Sequence, residues 1–157
     1  AEYNYYCSDI TRTIPINGKF TPRQKEVYES VLRVNEAMIE FIKPGVIYKD
    51  FLDTAKDLLA EECIKLGLIT DKKAVDKYYY HGVGHFLGLD VHDVGRREFL
   101  ERKFVPGMVL TVEPGLYIAE EEIGIRIEDD VLVTENGHEN LSKAIIKSVA
   151  DIEAFMR

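Results

Sequence analysis

Cysteine is scarce in this 157-residue chain, which holds only Cys7 and Cys63. The two stand too far apart for a Cys-x-x-Cys site and are too few for a disulfide framework, so a reducing compartment and buried free thiols are expected. Also missing is any cluster of Lys and Arg. Against a formal charge of -8, that absence argues against nucleic acid or anionic lipid as a partner. No apolar run approaches the ~20 residues of a membrane helix and no basic-then-apolar signal opens the chain, so neither membrane insertion nor export is expected and a cytoplasmic location is. There is no initiator Met, and Ala1-Glu2-Tyr3 stands directly before a strand-like run. The chain therefore reads as trimmed at its N-terminus.

What is present describes a soluble globular protein. Apolar residues make up 46% and charged residues 31%, with nine Tyr and seven Phe, a balance that can bury a core. A chain of this length buries about two thirds of its unfolded surface as one domain. With no repeat, low-complexity tract or linker, residues 1–157 are expected to form a single α+β unit, an antiparallel sheet with packed helices.

β-favouring residues from Tyr5 to Ile14, followed by Asn17-Gly18, predict a strand and a turn, with Asp9 mid-strand. A helix should start at Thr21, because Thr21 can cap, Pro22 suits the first turn and Gln24 completes a capping box. Its core stripe is Val27, Val31, Val34, Met38 and Phe41, ended by Pro44-Gly45. A second helix is expected from Tyr48 to Leu66, with Phe51, Ala55, Leu58, Leu59 and Ile64 on or near one face and Gly67 as its cap. A short charged helix follows at 72–77. Strands are predicted at Met108 to Val112, Gly124 to Glu128 and Val131 to Thr134, and a last helix from Val149 to Met156.

The chemistry gathers between the helices and these strands. Residues 78–98 hold three of the four His and four of the 11 Gly, so no stable helix forms there. His81-Gly82-Val83-Gly84-His85 has the spacing of a zincin helix but lacks the Glu after the first His. Glycines instead allow close backbone approach, with the imidazoles leaving irregular or extended chain. A single His is more often a structural loop residue, but His81, His85 and His92 within twelve positions favour a site.

Glu113 precedes Pro114, which biases it toward an extended conformation at a strand end; alone, it would as readily be a solvated turn. Arg126 and Glu128 share one strand face opposite Ile125 and Ile127, and for that face solvent and a site are equally good readings. Asp9 shares a face with Tyr5, Cys7, Thr11 and Thr13, where a buried carboxylate needs Arg, an N–H or a metal as partner. Three carboxylates with one imidazole suit Mn, Co, Fe or Zn in a carboxylate-bridged pair better than a closed structural zinc site. Two-metal hydrolysis is the natural chemistry of such a set.

Four blocks carry a family resemblance: Tyr6 to Thr13 (YCSDITRT), His81 to Asp93 (HGVGHFLGLDVHD), Thr111 to Tyr117 (TVEPGLY) and Gly124 to Asp129 (GIRIED). In this order they resemble the Xaa-Pro aminopeptidase and prolidase branch of the pita-bread metallopeptidases, from the first residues to the last. The resemblance implies a partial pita-bread (creatinase/aminopeptidase) fold and a dinuclear exopeptidase cutting the bond before proline. It makes Asp9, His85, Glu113 and Glu128 metal ligands, with Asp9 and Glu128 contacting both ions. Glu113 would also shuttle the proton of the attacking water. His81 and His92 would contact substrate and stabilise the tetrahedral intermediate, and Arg126 would order the site. The cofactor implied is two divalent ions, Mn first with Co, Zn or Fe as alternatives. The substrate implied is a peptide with proline second.

One departure is expected to matter. The family's fifth ligand is an Asp eleven positions before Asp9, which falls upstream of Ala1. The second metal site is then incomplete, the first part of the pita-bread domain and any N-terminal domain are absent, and this chain should be weakly active or inactive. Apolar surface left uncovered would favour a homo-oligomer. The competing readings are a non-catalytic pita-bread module that binds peptides, whose relatives usually lack the ligand set, and creatinase-like chemistry, which would not need these ligands.

Overall fold

The computed structural model describes residues 1–93 and 99–157; positions 94–98, the end of the His- and Gly-rich stretch, lie outside the described residues. Helix α1 spans Pro22–Phe41 and begins as its sequence demands: the Thr21 side chain accepts the Gln24 N–H while the Gln24 side chain accepts the Thr21 N–H. Val27, Val31, Val34 and Met38 are buried along it, and Phe41 packs at the edge of the core. Helix α2, Tyr48–Lys65, lies against α1 and buries Phe51, Ala55, Leu59, Ala60 and Cys63. Ile64, expected near the buried face, is exposed because Cys63 and Ala60 take the inner positions. A 3-10 turn at Lys72–Lys77 follows, and helix α3, Val149–Phe155, closes the chain behind a Ser148 cap.

Seven short strands complete the α+β architecture: β1 (Glu2–Tyr3), β2 (Tyr6–Cys7), β3 (Val109–Val112), β4 (Gly115–Ile118), β5 (Ile123–Arg126), β6 (Asp129–Thr134) and β7 (Gly137–Asn140). They form three antiparallel sheets, β1-β2, β3-β6-β7 and β4-β5. Three strands lie outside the sequence reading: β1, which precedes the predicted Tyr5 start, and β4 and β7, because Gly115 and Gly137 resemble turn residues.

The pairing of these strands creates the site's frame. Val112 pairs with Asp129 at the end of one ladder, and Gly115 pairs with Arg126 at the start of the next. The polypeptide runs β3-β4 and β5-β6 are thus one long antiparallel pair, interrupted at Glu113-Pro114 and at Ile127-Glu128. Pro114 has no N–H to give to a ladder, and the break leaves two glutamates at facing positions.

The predicted strand from Tyr5 to Ile14 is not formed. Only Tyr6–Cys7 is a strand, in a two-residue ladder turned at Asn4 and Tyr5, both with positive φ. Residues 8–14 instead run beside β5 and the 127–128 break, bonded largely through side chains. The Thr11 carbonyl accepts the Glu128 N–H at 3.0 Å, and the Thr13 hydroxyl both donates to the Arg126 carbonyl and accepts its N–H. Side-chain groups occupy what a regular ladder would give to the backbone, so Asp9 leaves an irregular segment.

Candidate metal centre

Four extended segments lie side by side and each contributes to one cluster. Residues 83–87 run along β3: Glu113 N–H donates to the Val83 carbonyl at 2.7 Å, Thr111 N–H to that of His85 at 2.9 Å, and Leu87 N–H to that of Val109 at 3.1 Å. This approach demands glycine, because a Cβ on Gly84 would overlap the Thr111 carbonyl oxygen. The reading of the glycine-rich motif as a device for close backbone contact holds at this position.

His85 is the centre. Its Nε2 lies 3.6 Å from Asp9 Oδ2 and 3.7 Å from Glu113 Oε1, and it is buried with no hydrogen-bond partner among the described residues. Its Nδ1 is 3.0 Å from the Phe86 carbonyl oxygen. A carbonyl can only accept, so Nδ1 carries the proton and Nε2 of the neutral ring presents its lone pair to the carboxylates. That is the tautomer a metal ligand needs.

Two sets of potential ligands share this imidazole. Asp9, His85 and His92 offer atoms within 4.8 Å of one another, and so do His85, Glu113 and Glu128. The His92 ring meets that of His85 edge-on, centroids 4.5 Å apart, and His92 thus stands beside the metal-binding set as well as open to solvent.

Glu128 is only 2% exposed, so the polar stripe of Arg126 and Glu128 faces the protein and not solvent. Its carboxylate accepts a 2.5 Å bond from the Thr11 hydroxyl, which in turn accepts from Arg126 Nε at 3.2 Å. Burial raises the Glu128 pKa, the Thr11 bond opposes the rise, and the charges of Glu113 and Asp9 add to it. Carboxylates crowded in this way repel unless a cation or proton stands among them.

His81 lies at the edge. Its Nε2 is 2.8 Å from the Tyr117 hydroxyl and its Nδ1 is 2.8 Å from the Gly82 carbonyl, with Glu113 Oε2 3.9 Å from Nδ1. By the argument used for His85, the neutral ring holds its proton on Nδ1 and accepts the Tyr117 hydroxyl.

Every residue singled out in the sequence therefore falls in one region: Asp9, His85, Glu113 and Glu128 at the centre, with His81, His92 and Arg126 around them. The donor set fits divalent cations, since three carboxylates supply charge and the bare Nε2 supplies the nitrogen.

Metallopeptidase family M24 matches residues 1–135. The chain belongs to that family. It is 44% identical over 170 residues to Xaa-Pro aminopeptidase 2 of Streptomyces coelicolor, covering 96% of this chain and 36% of that protein. A Bacillus anthracis structure described as a candidate aminopeptidase P superposes with a TM-score of 0.95 at 54% identity, over 99% of this chain and 37% of that one. Zinc-substituted Escherichia coli aminopeptidase P in complex with product superposes with a TM-score of 0.90 at 42% identity, over 99% and 39%. The fold is thus part of the pita-bread fold of these M24 enzymes, and the chain spans well under half the length of the relatives it matches.

Asn35, Tyr117 and Asp130 also reach the site or its supports, and sequence reasoning did not select them. The signal for Asn35 was its place on the apolar face of α1, four residues after Val31. Asp130 is 4% exposed; Oδ2 accepts the Asp9 N–H at 3.3 Å and Oδ1 has no partner among the described residues. Among the described residues, no helix is long and apolar enough to cross a membrane.

Proposed function

We propose that this chain carries the metal-holding residues of a Xaa-Pro aminopeptidase, with Asp9, His85, Glu113 and Glu128 as ligands of two divalent cations. The observation that carries the reading is the buried Nε2 of His85, without a hydrogen-bond partner among the described residues and facing carboxylates at 3.6 and 3.7 Å. Manganese is the first choice, with Co, Zn or Fe as alternatives of the same coordination chemistry. Bound there, the cations would polarise the scissile carbonyl and acidify water.

The chain's own residues do the rest. Glu113, 15% exposed at its side chain, is placed to take a proton from the attacking water and return it to the departing proline nitrogen. His81 and His92 border the same space and would hydrogen-bond the peptide and the charge developing on its carbonyl oxygen. Arg126 orders Glu128 through Thr11. The substrate is a peptide with proline second, whose tertiary amide nitrogen has no N–H and calls for a shaped site. Exposed Tyr3, Tyr5, Tyr6, Ile16 and Phe155 support self-association, and the free thiols of Cys7 and Cys63 support a reducing, cytoplasmic setting.

The test is metal content with cleavage of Xaa-Pro and Xaa-Pro-Yaa peptides, before and after His81→Ala and His85→Ala. Loss of metal with His85→Ala, and loss of turnover with metal retained for His81→Ala, are expected. Cleavage that survives chelation would overturn the reading. Peptide bound with the same affinity in the presence of chelator would replace it with a binding module.

A further inference from the structure

The two glutamates stand at facing breaks in a strand pair, joined across the break by one long backbone bond, Ile127 N–H to the Pro114 carbonyl at 3.3 Å. One side chain spans that gap from outside. Asn35, fully buried on α1, directs its Nδ2 to the carbonyl of Val112 at 3.1 Å and to that of Ile127 at 3.4 Å. These carbonyls belong to the peptide planes that carry the nitrogens of Glu113 and Glu128. One amide thus holds both planes from which the carboxylates leave.

The orientation of this amide is determined by its surroundings. Lys147 Nζ, which can only donate, lies 2.8 Å from Asn35 Oδ1, and two carbonyls, which can only accept, face Nδ2. Lys147 continues to Asp129 Oδ2 at 2.7 Å, and Arg12 meets Asp129 Oδ1 at 2.6 Å. Arg12 also donates to the carbonyls of Glu128 and Thr11, at 2.7 and 2.9 Å. The polar chain Asn35-Lys147-Asp129-Arg12 runs behind the cluster and grips the backbone beside Glu113, Glu128 and the Asp9 segment.

We propose that Asn35 is a positioning residue that sets the spacing of the Glu113 and Glu128 carboxylates before a cation arrives. The proposal rests on the reading of those glutamates as metal ligands. A helix-borne amide suits the task, because α1 is anchored in the core through Val27, Val31, Val34 and Met38. Partners one step removed from a metal typically contribute 10–100-fold to affinity, and Asn35 would act on two ligands at once.

Asn35→Asp tests this. It preserves shape and the acceptor for Lys147 but removes the N–H groups that hold the carbonyls. Zinc alone is the probe, by calorimetry, with Val31→Ala as a control that loosens the same helix face without touching either carbonyl. Affinity roughly 10–100-fold weaker in Asn35→Asp, with Val31→Ala within twofold of the parent, is expected. A second measurement needs no mutation: in NMR spectra the Asn35 side-chain amide should shift with zinc in step with the backbone amides of Glu113 and Glu128. Zinc affinity unchanged in Asn35→Asp, or an Asn35 amide that stays still while both glutamate amides move, overturns the proposal and leaves the metal reading standing. An unmutated chain that takes no zinc overturns both.

Discussion

Asp9 Oδ2 and His85 Nε2 lie 3.6 Å apart, too far for a hydrogen bond and close to the span of two ligands on one ion. With ligand bonds of about 2.1 Å, adjacent donor atoms around a cation sit roughly 3–3.5 Å apart. Small inward movements would complete the contact, so the chain holds these two atoms at nearly the spacing of ligands that share one ion.

His85 belongs to both triads of potential ligands, and its removal should therefore damage both. His85→Ala is expected to weaken divalent-metal binding by more than the roughly 10–100-fold typical of an outer partner. Asp9→Asn, which leaves His85, Glu113 and Glu128 in place, should retain residual binding at that triad. Metal titrations of the two variants check this; equal losses would contradict the shared role of the imidazole.

Metal should also stabilise the fold, because the cation binds only where carboxylates from distant parts of the chain converge. At a free concentration 100 times the dissociation constant, one site adds about 2.7 kcal/mol. For a domain of this size that corresponds to a Tm rise of roughly 5–10 °C. Scanning calorimetry with manganese and then with chelator reads it directly, and an unchanged Tm would count against a site in the folded state.

Much of this arrangement was legible before any coordinates. The Thr21 capping box and the α1 stripe are local features, written in a few adjacent residues, whereas the glycine-rich run signals a close backbone approach without naming Thr111 as what Gly84 meets. Glu113 was legible because Pro114 restricts the residue before it. Glu128 was not decided by its strand period, since alternation says that Arg126 and Glu128 share a face but not what that face meets. The segment from Ser8 to Ile14 was misread as a strand for a related reason: β-favouring residues report extended chain, whereas a ladder depends on what the neighbouring segment offers. Asn35 was hidden because periodicity identifies the inner face of a helix and cannot name the carbonyls that a polar residue there will find.

Asp129 should make the fold sensitive to acid. Burial pushes its pKa up, but the bonds from Lys147 and Arg12 outweigh burial and hold it below its ordinary value. A depressed carboxylate contributes stability that is complete above its unfolded pKa and lost as pH falls through its folded one. Arg12→Met should cost on the order of 3 kcal/mol at pH 7, the lower end for stripping one partner from a buried ion pair, since Lys147 remains. The cost should shrink as pH falls below the ordinary carboxylate value of about 4, because protonation removes the charge that Arg12 pairs with. Urea unfolding at pH 3 and pH 7 measures the difference, and an equal cost at both would show that Arg12 acts by packing alone.

Asp130 should do the opposite, and the contrast with its neighbour tests the electrostatics of the site. It is nearly as buried but has no salt-bridge partner among the described residues: burial lifts its pKa to about 6, the Asp9 N–H opposes this, and the charges of Glu128, Asp9 and Asp129 add to the rise. Between about pH 4 and 6 the folded, metal-free chain keeps a proton that the unfolded chain has lost. Above that window the ionised carboxylate is a burden, of about 2–3 kcal/mol for a shift of roughly two units at 1.36 kcal/mol each. Asp130→Asn keeps the oxygen that accepts the Asp9 N–H and carries no charge. Relative to the parent, the metal-free variant should therefore gain about 2–3 kcal/mol between pH 4 and pH 8. Urea unfolding in the presence of chelator at the two pH values gives that gain directly. A variant that tracks the parent across the range would mean that the carboxylate is already relieved in the folded chain, and that the acidic crowding around Asp9 is weaker than its geometry requires.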